Sequence, residues 1–138
     1  MKKPTLYLSL DAVLIPTSDT DLSFNGRAPS AYTRAFVHWA LEKFHVVWLT
    51  DESPQLAFRL NELLGVPSHS IPVATFSVSK TDVFNLKTEF YLIDDALIPG
   101  EIAWLAQHGR GNCVVATHPR DGVTPETKRQ LEARIGNA

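Results

Sequence analysis

Short apolar runs alternate with amphipathic stretches along the chain. Four runs, at residues 6–10, 45–50, 90–93 and 112–116, have the length and composition of strands that are buried on both faces of a sheet. Residues 71–76 predict either a further short strand or an extended connection. The pattern therefore predicts four or five strands, spread over most of the chain.

Helical signals lie between these runs. Apolar side chains recur at helical spacing from Ser30, a candidate N-cap, to about Phe44. Ser53-Pro54 and Thr124-Pro125 each combine a cap with a first-turn proline, and Gly65 is a typical helix stop. We also predict a short helix over residues 80–86 and another from Pro99 to about Gly109.

Strands that alternate with helices predict a parallel sheet with helices on both faces. We therefore expect residues 1–138 to form a single α/β domain of the three-layer, Rossmann-like class. Residues 12–29 are rich in Pro, Ser, Asp, Asn and Gly, which predicts a long loop or a small flap.

Composition narrows the classes of protein to consider. The net charge is −2 and the basic residues are scattered, so we do not expect a nucleic-acid partner. No apolar run approaches the roughly 20 residues that cross a bilayer, and the first strand begins too early for a signal-peptide core. The single cysteine, Cys113, lies in an apolar run and is expected to be a buried, inert thiol. We expect a cytoplasmic protein without a membrane segment.

Polar side chains follow the predicted strands at the ends where ligands bind in open parallel sheets. They are Ser9 and Asp11 after the first strand, Thr50 after the second, and Asp94 and Asp95 after the strand at 90–93, with Lys80 at the start of a predicted helix. Carboxylates suit a hard divalent cation, and hydroxyl and ammonium groups suit an oxyanion. The pattern predicts a site for a cation and a phosphate-like group.

These segments resemble the four motifs of the haloacid dehalogenase (HAD) superfamily. Residues 6–14, LYLSLDAVL, are similar to the first motif, an apolar strand followed by Asp-x-Asp-Gly-Val/Thr-Leu. Thr50 resembles the second motif, Lys80 the third (with Lys87 as an alternative), and Asp94-Asp95 the paired acids of the fourth. The four occur in the family's order over roughly residues 5 to 95. The short flap resembles members with a small cap or none.

The resemblance implies a role for each position. The first acid of the first motif is the nucleophile of active members, and that position is Ser9 here. Asp11 corresponds to the general acid/base. Thr50 and Lys80 correspond to the groups that hold the phosphoryl oxygens. The implied Mg²⁺ ligands are Asp11, Asp94 and Asp95.

Ser9 departs from the family pattern in a way that affects both the chemistry and the metal. A carboxylate attacks phosphorus directly, whereas a serine hydroxyl needs a base, and Asp11 is the candidate for that base. A phosphoserine ester also lacks the reactivity of an acyl phosphate. Losing one anionic ligand weakens a magnesium site.

Three functions follow as hypotheses. The first is a catalytically degenerate HAD-like domain with a residual metal or phosphate site, which acts by binding a phosphorylated ligand or a protein partner. The second is an active Mg²⁺-dependent phosphohydrolase that uses Asp11. The third is an unrelated doubly wound binding domain, although a glycine-rich phosphate loop is missing from the sequence. Composition and motifs do not specify the oligomeric state.

Overall fold

The apolar runs form strands of one parallel sheet in a computed structural model, which describes residues 3–17, 24 and 26–136. The strands are β1 (Thr5–Ser9), β2 (Leu14–Pro16), β3 (Arg27–Pro29), β4 (His45–Thr50), β5 (Val73–Thr75), β6 (Phe90–Asp94) and β7 (Val114–Ala116). The helices are α1 (Leu10–Val13), α2 (Thr33–Lys43), α3 (Pro54–Leu63), α4 (Pro99–Gln107) and α5 (Pro125–Gly136), with 3-10 turns at Lys80–Asp82 and Gly111–Cys113.

The main sheet has the strand order β5-β4-β1-β6-β7, and every neighbouring pair in it is parallel. From β1 the chain moves outward through β4 and β5, and then crosses to the other side of β1 for β6 and β7. The strand order therefore reverses beside β1, which is where ligands bind in sheets of this kind. Ser9 is in register with Leu49, and Leu8 with Ile93, so the carboxyl ends of β4, β1 and β6 lie side by side.

The two faces of the sheet carry unequal layers. On one face Leu6, Leu8 and Trp48 belong to a large buried cluster that includes side chains of α2, α3 and α5. On the other face Tyr7 and Leu92 belong to a smaller cluster whose helical contribution is Leu105 of α4. This arrangement confirms the predicted α/β class, with a parallel sheet between helical layers.

Two of the predicted caps are confirmed, and one is wrong. Ser53 Oγ accepts a hydrogen bond from Gln55 N at 3.3 Å, and Thr124 Oγ1 accepts one from Thr127 N at 3.4 Å. Ser30 does not cap α2, because Ala31 and Tyr32 form a turn before the helix begins at Thr33. The Ser30 hydroxyl instead bonds to Thr33 Oγ1 and to the carbonyl of Val123.

The predicted helix over residues 80–86 is also wrong beyond its first turn. The 3-10 turn ends at Asp82, and the Tyr7 hydroxyl then satisfies two backbone groups of the following segment. It donates to Val83 O at 3.3 Å and accepts from Asn85 N at 3.1 Å. Phe84 packs against Tyr7 with ring centroids 5.1 Å apart. These contacts with β1 replace the hydrogen bonds of a helix.

The segment at 12–29, predicted as a loop or flap, contains regular structure at both ends. Strands β2 and β3 pair in antiparallel fashion, with Leu14 opposite Pro29 and Pro16 opposite Arg27. Residues 18–23 and 25 lie outside the described residues. The strand expected at 112–116 is shorter than predicted, since a 3-10 turn occupies Gly111–Cys113. None of the described helices is long and apolar enough to cross a membrane.

Candidate functional site

The predicted site residues at the strand ends lie along one edge of the sheet. Ser9 is the last residue of β1, Thr50 the last of β4, and Asp94 the last of β6. All three are buried, with 2%, 4% and 2% of their surface exposed. The fold therefore brings together three positions that are about 40 residues apart in sequence. Their roles remain predictions.

Lys80 reaches this edge from the 3-10 turn and forms an ion pair with Asp94. The distance from Lys80 Nζ to Asp94 Oδ2 is 2.6 Å, and 10% and 1% of the two side chains are exposed. At this distance and burial the opposite charges of the two side chains attract each other strongly. Asp94 Oδ1 accepts a hydrogen bond from Ala96 N at 2.9 Å, which fixes the carboxylate from its other side.

Glu101 of α4 positions the turn that carries Lys80. Its Oε2 atom accepts a hydrogen bond from the backbone N of Lys80 at 2.7 Å, and Glu101 is 3% exposed. Lys87, the alternative for the third motif, is exposed and lines a groove with Thr5 and His45, at the opposite ends of the strands. The geometry therefore favours Lys80 over Lys87 as the lysine of this edge.

Arg27 of the β2–β3 hairpin forms a second ion-pair cluster. Its Nη1 atom donates to Asp11 Oδ1 at 2.8 Å, and its Nη2 atom contacts both carboxylate oxygens of Glu52 at 2.8 and 2.9 Å. Its Nε atom donates to Phe24 O at 3.1 Å. Arg27 thus ties the hairpin to α1 and to the turn after β4. We call Arg27, Asp11 and Glu52 the Arg27 cluster.

Sequence reasoning missed both Arg27 and Glu52. Glu52 had a signal, since it directly follows the strand-end residues Thr50 and Asp51. Arg27 had none, because it lies in a polar stretch that predicts only a loop. Thr50 stabilises the turn after β4, because its Oγ1 atom accepts a hydrogen bond from Glu52 N at 2.9 Å.

The remaining electrostatics reflect an excess of acids. Partial burial raises the pKa of Asp11, and the Arg27 guanidinium opposes that shift. Burial also raises the pKa of Asp95, and the neighbouring negative charges of Asp94 and Asp11 raise it further. Asp51 and Glu52 add further negative charge around Asp11, and only Arg27 and Lys80 among its main neighbours oppose it. Negative charge therefore exceeds positive charge here, which disfavours a bound anion.

Cys113 is partly buried rather than fully buried as predicted. It is the last residue of a 3-10 turn, just before the edge strand β7. Burial is nevertheless the main influence on the pKa of its thiol and raises it. A raised pKa keeps the sulfur in its unreactive thiol form.

The HAD resemblance implies three acids as ligands of a magnesium ion, and their contacts indicate how well that ion would be held. Asp11, Asp94 and Asp95 supply hard oxygen atoms of the right type. However, Arg27 contacts Asp11 and Lys80 contacts Asp94, so protein cations already oppose two of the three charges. Ser9 supplies a neutral hydroxyl where the family has a carboxylate. A magnesium ion would have to displace Arg27 and Lys80 from these acids, and a carboxylate at position 9 would add the missing anionic ligand.

Fold and site together define a Rossmann-like α/β protein with an acidic edge at its strand-order reversal. No protein-family model matches the chain, and no curated protein has significant sequence similarity to it.

Proposed function

We propose that this chain is a HAD-like domain that has lost phosphoryl-transfer turnover and acts by binding a protein partner. The observation that supports this best is at the central strand. β1 ends in the buried hydroxyl of Ser9, while Lys80 is engaged with Asp94 at 2.6 Å. In this proposal Lys80 compensates the charge of Asp94, and Ser9 supplies no nucleophilic carboxylate.

The surviving acid of the first motif does not replace the nucleophile. Asp11 is the proposed base for Ser9, but its Oδ1 atom accepts a hydrogen bond from Arg27. A serine hydroxyl without an available base is a weak nucleophile at neutral pH. The proposal therefore assigns Ser9 and Asp11 no catalytic turnover.

Magnesium is at most a weak ligand in this proposal. Binding it to Asp11 and Asp94 requires both carboxylates to leave their present cationic partners, Arg27 and Lys80. The excess of acids also argues for a protein partner over a phosphorylated ligand, because anions repel each other. We retain the cytoplasmic location expected from the sequence.

The test measures phosphate release from an aryl phosphate with Mg²⁺, for the wild type and for Ser9→Asp. We expect the wild type to remain at the background rate. Ser9→Asp restores the missing carboxylate and should raise the rate by roughly tenfold or more, which corresponds to about 1.4 kcal/mol of barrier. Ser9→Asn, which has the same shape without the charge, is the matched control and should stay silent.

Two outcomes contradict the proposal. If the wild type turns over and Asp11→Asn abolishes the activity, the chain is an active phosphohydrolase that uses Asp11. If a folded Ser9→Asp is as silent as Ser9→Asn, the edge is not a HAD-like site, and an unrelated doubly wound binding domain becomes the better model.

A further inference from the structure

A pocket lies between α4 and β7, the outermost strand of the main sheet, and includes Asp94 and Asp95 at the carboxyl end of β6. Its volume is about 270 Å³, and most of its wall is apolar. The apolar side chains are Ala96, Leu97, Ile102, Leu105, Val114 and Ala116. This is slightly smaller than the roughly 300–1,000 Å³ typical of small-molecule sites, and it suits one or two amino-acid side chains.

Exposed apolar side chains continue outside the pocket. Ile98 and Ile102 lie one helical turn apart at α4 and are 52% and 54% exposed. Val78 is 83% exposed and is followed by Ser79, whose hydroxyl contacts Glu101 of α4. We call Val78, Ile98 and Ile102 the α4 patch.

The three residues of the α4 patch lie at α4 or next to it, since Ile98 and Ile102 belong to its first turns and Ser79, which follows Val78, contacts Glu101. It holds three of the five large apolar side chains that are exposed among the described residues. Apolar patches of this kind mark interaction surfaces. A small ligand inside the pocket would leave Val78 and Ile98 in water, whereas a protein segment lying over α4 would cover them.

The charges at the pocket specify the partner's chemistry. Asp94 and Asp95 are its charged lining residues, and none of the described lining residues is basic. Lys80 already pairs with Asp94, and Asp95 is the more exposed of the two acids. A segment that brings a lysine or arginine to Asp95 would therefore gain an ion pair at the rim of the apolar contact.

We propose that the α4 patch and the adjoining pocket bind an amphipathic, basic segment of a partner protein. An apolar side chain of leucine size enters the pocket, and a neighbouring basic side chain reaches Asp95. Apolar anchors in a pocket with a polar rim are the usual arrangement of binding hot spots. This inference rests on the proposed function, because it names the kind of partner that the binding role requires.

The experiment uses the full chain and a fluorescent 14-residue amphipathic peptide of leucine and lysine as the probe. We expect the probe to bind, with amide chemical-shift changes at α4 and β7. Peptides in which glutamate replaces lysine, or serine replaces leucine, should bind at least about tenfold more weakly, since each loses one of the two contributions.

Matched variants locate the binding. Ile102→Asp and Val78→Asp should each weaken binding of the probe by roughly tenfold, and Asp95→Asn should weaken it by roughly threefold. Leu63→Asp changes an equally exposed leucine on α3, and Glu62→Gln an exposed acid on the same helix, which packs on the other face of the sheet, so both should leave binding unchanged. Val78 is almost fully exposed, so its replacement tests the surface without disturbing the core.

Several results overturn the inference. Absence of probe binding does so, and so does binding that is insensitive to both Ile102→Asp and Asp95→Asn. Dimerisation in sedimentation experiments that Ile102→Asp abolishes would assign the patch to a second copy of the chain. Binding of isoamylammonium as tight as that of the peptide would assign the pocket to small amines. If the probe fails while the wild type releases no phosphate, only this inference is lost; phosphate release by the wild type contradicts the proposed function itself.

Discussion

The Lys80–Asp94 pair and the Arg27 cluster hold the same edge of the sheet by ion pairs in different surroundings. Lys80 and Asp94 are buried, with 10% and 1% of their side chains exposed. In the Arg27 cluster, Arg27, Glu52 and Asp11 are 19%, 28% and 51% exposed. Water and salt reach the second group and hardly reach the first. The buried Lys80–Asp94 pair should therefore be a rigid contact, and the more exposed Arg27 cluster an adjustable one.

Burial changes the cost of breaking an ion pair more than the benefit of making it. Removing one partner of a buried pair strands a charge in a poor solvent, which costs about 3–5 kcal/mol. An exposed pair contributes about 0–1 kcal/mol, because water replaces each partner. We therefore expect loss of Lys80 to lower the stability of the whole domain, and loss of Arg27 to loosen mainly the β2–β3 hairpin.

Lys80→Met should give the largest effect. It leaves the Asp94 carboxylate buried without its cation, so we expect the free energy of unfolding to fall by about 3–5 kcal/mol in urea denaturation at neutral pH. Lys87→Met is the matched control at an exposed lysine and should change stability by less than about 0.5 kcal/mol.

A double variant tests whether the stranded charge is the cause. Lys80→Met combined with Asp94→Asn removes both charges and keeps an acceptor for Ala96 N. It should recover more than half of the lost stability. If the double variant is as unstable as the single one, the lysine acts through its packing against Phe76, from whose ring centroid its Nζ atom lies 5.7 Å, and the comparison of charges fails.

Arg27→Met should give a smaller and more local effect. We expect a loss of about 1 kcal/mol, together with faster amide hydrogen exchange in β2 and β3, since Arg27 ties the hairpin to Asp11 and Glu52. In about 1 M salt the difference from wild type should shrink by roughly half, because screening weakens exposed pairs. A loss as large as that of Lys80→Met, or one that salt does not alter, would show that the two clusters do not differ as argued.

Asp95→Asn should give the smallest effect, visible as a pH dependence. The pKa of Asp95 is raised in the folded protein, so the folded state binds its proton more tightly than the unfolded state does. The wild type therefore loses stability as the pH rises through the range above 3.8, and Asn does not share this loss. The urea midpoint of the variant relative to wild type should rise from about pH 3 to pH 7. A flat or falling difference contradicts a raised pKa of Asp95 in the folded protein.

The fold class was predictable because its signals are local. A run such as residues 45–50 is strand-forming by composition, and its burial on both faces follows from a parallel sheet. The convergence of Ser9, Thr50 and Asp94 was predictable for a related reason, since parallel strands bring their carboxyl ends to one edge.

Contacts between distant residues were not predictable in this way. Nothing in the local sequence distinguishes Lys80 from Lys87, which lie seven residues apart and reach opposite ends of the strands. The helix expected after Lys80 stops because the Tyr7 hydroxyl, more than 70 residues away, bonds to the backbone at Val83 and Asn85. A hydrogen bond from a remote side chain competes directly with the helix's own.

The sequence by itself determined four of the five strands of the main sheet, the helices between them, the parallel sheet and the strand-end positions of Ser9, Thr50 and Asp94, but not α1 or the β2–β3 pair. These follow from periodicity and from the geometry of parallel connections. Only the tertiary structure decided that Arg27 meets Asp11 and that Lys80 meets Asp94. Ion pairs of this kind depend on side chains from separate elements reaching within about 4 Å of each other, and no pattern of neighbouring residues encodes that distance.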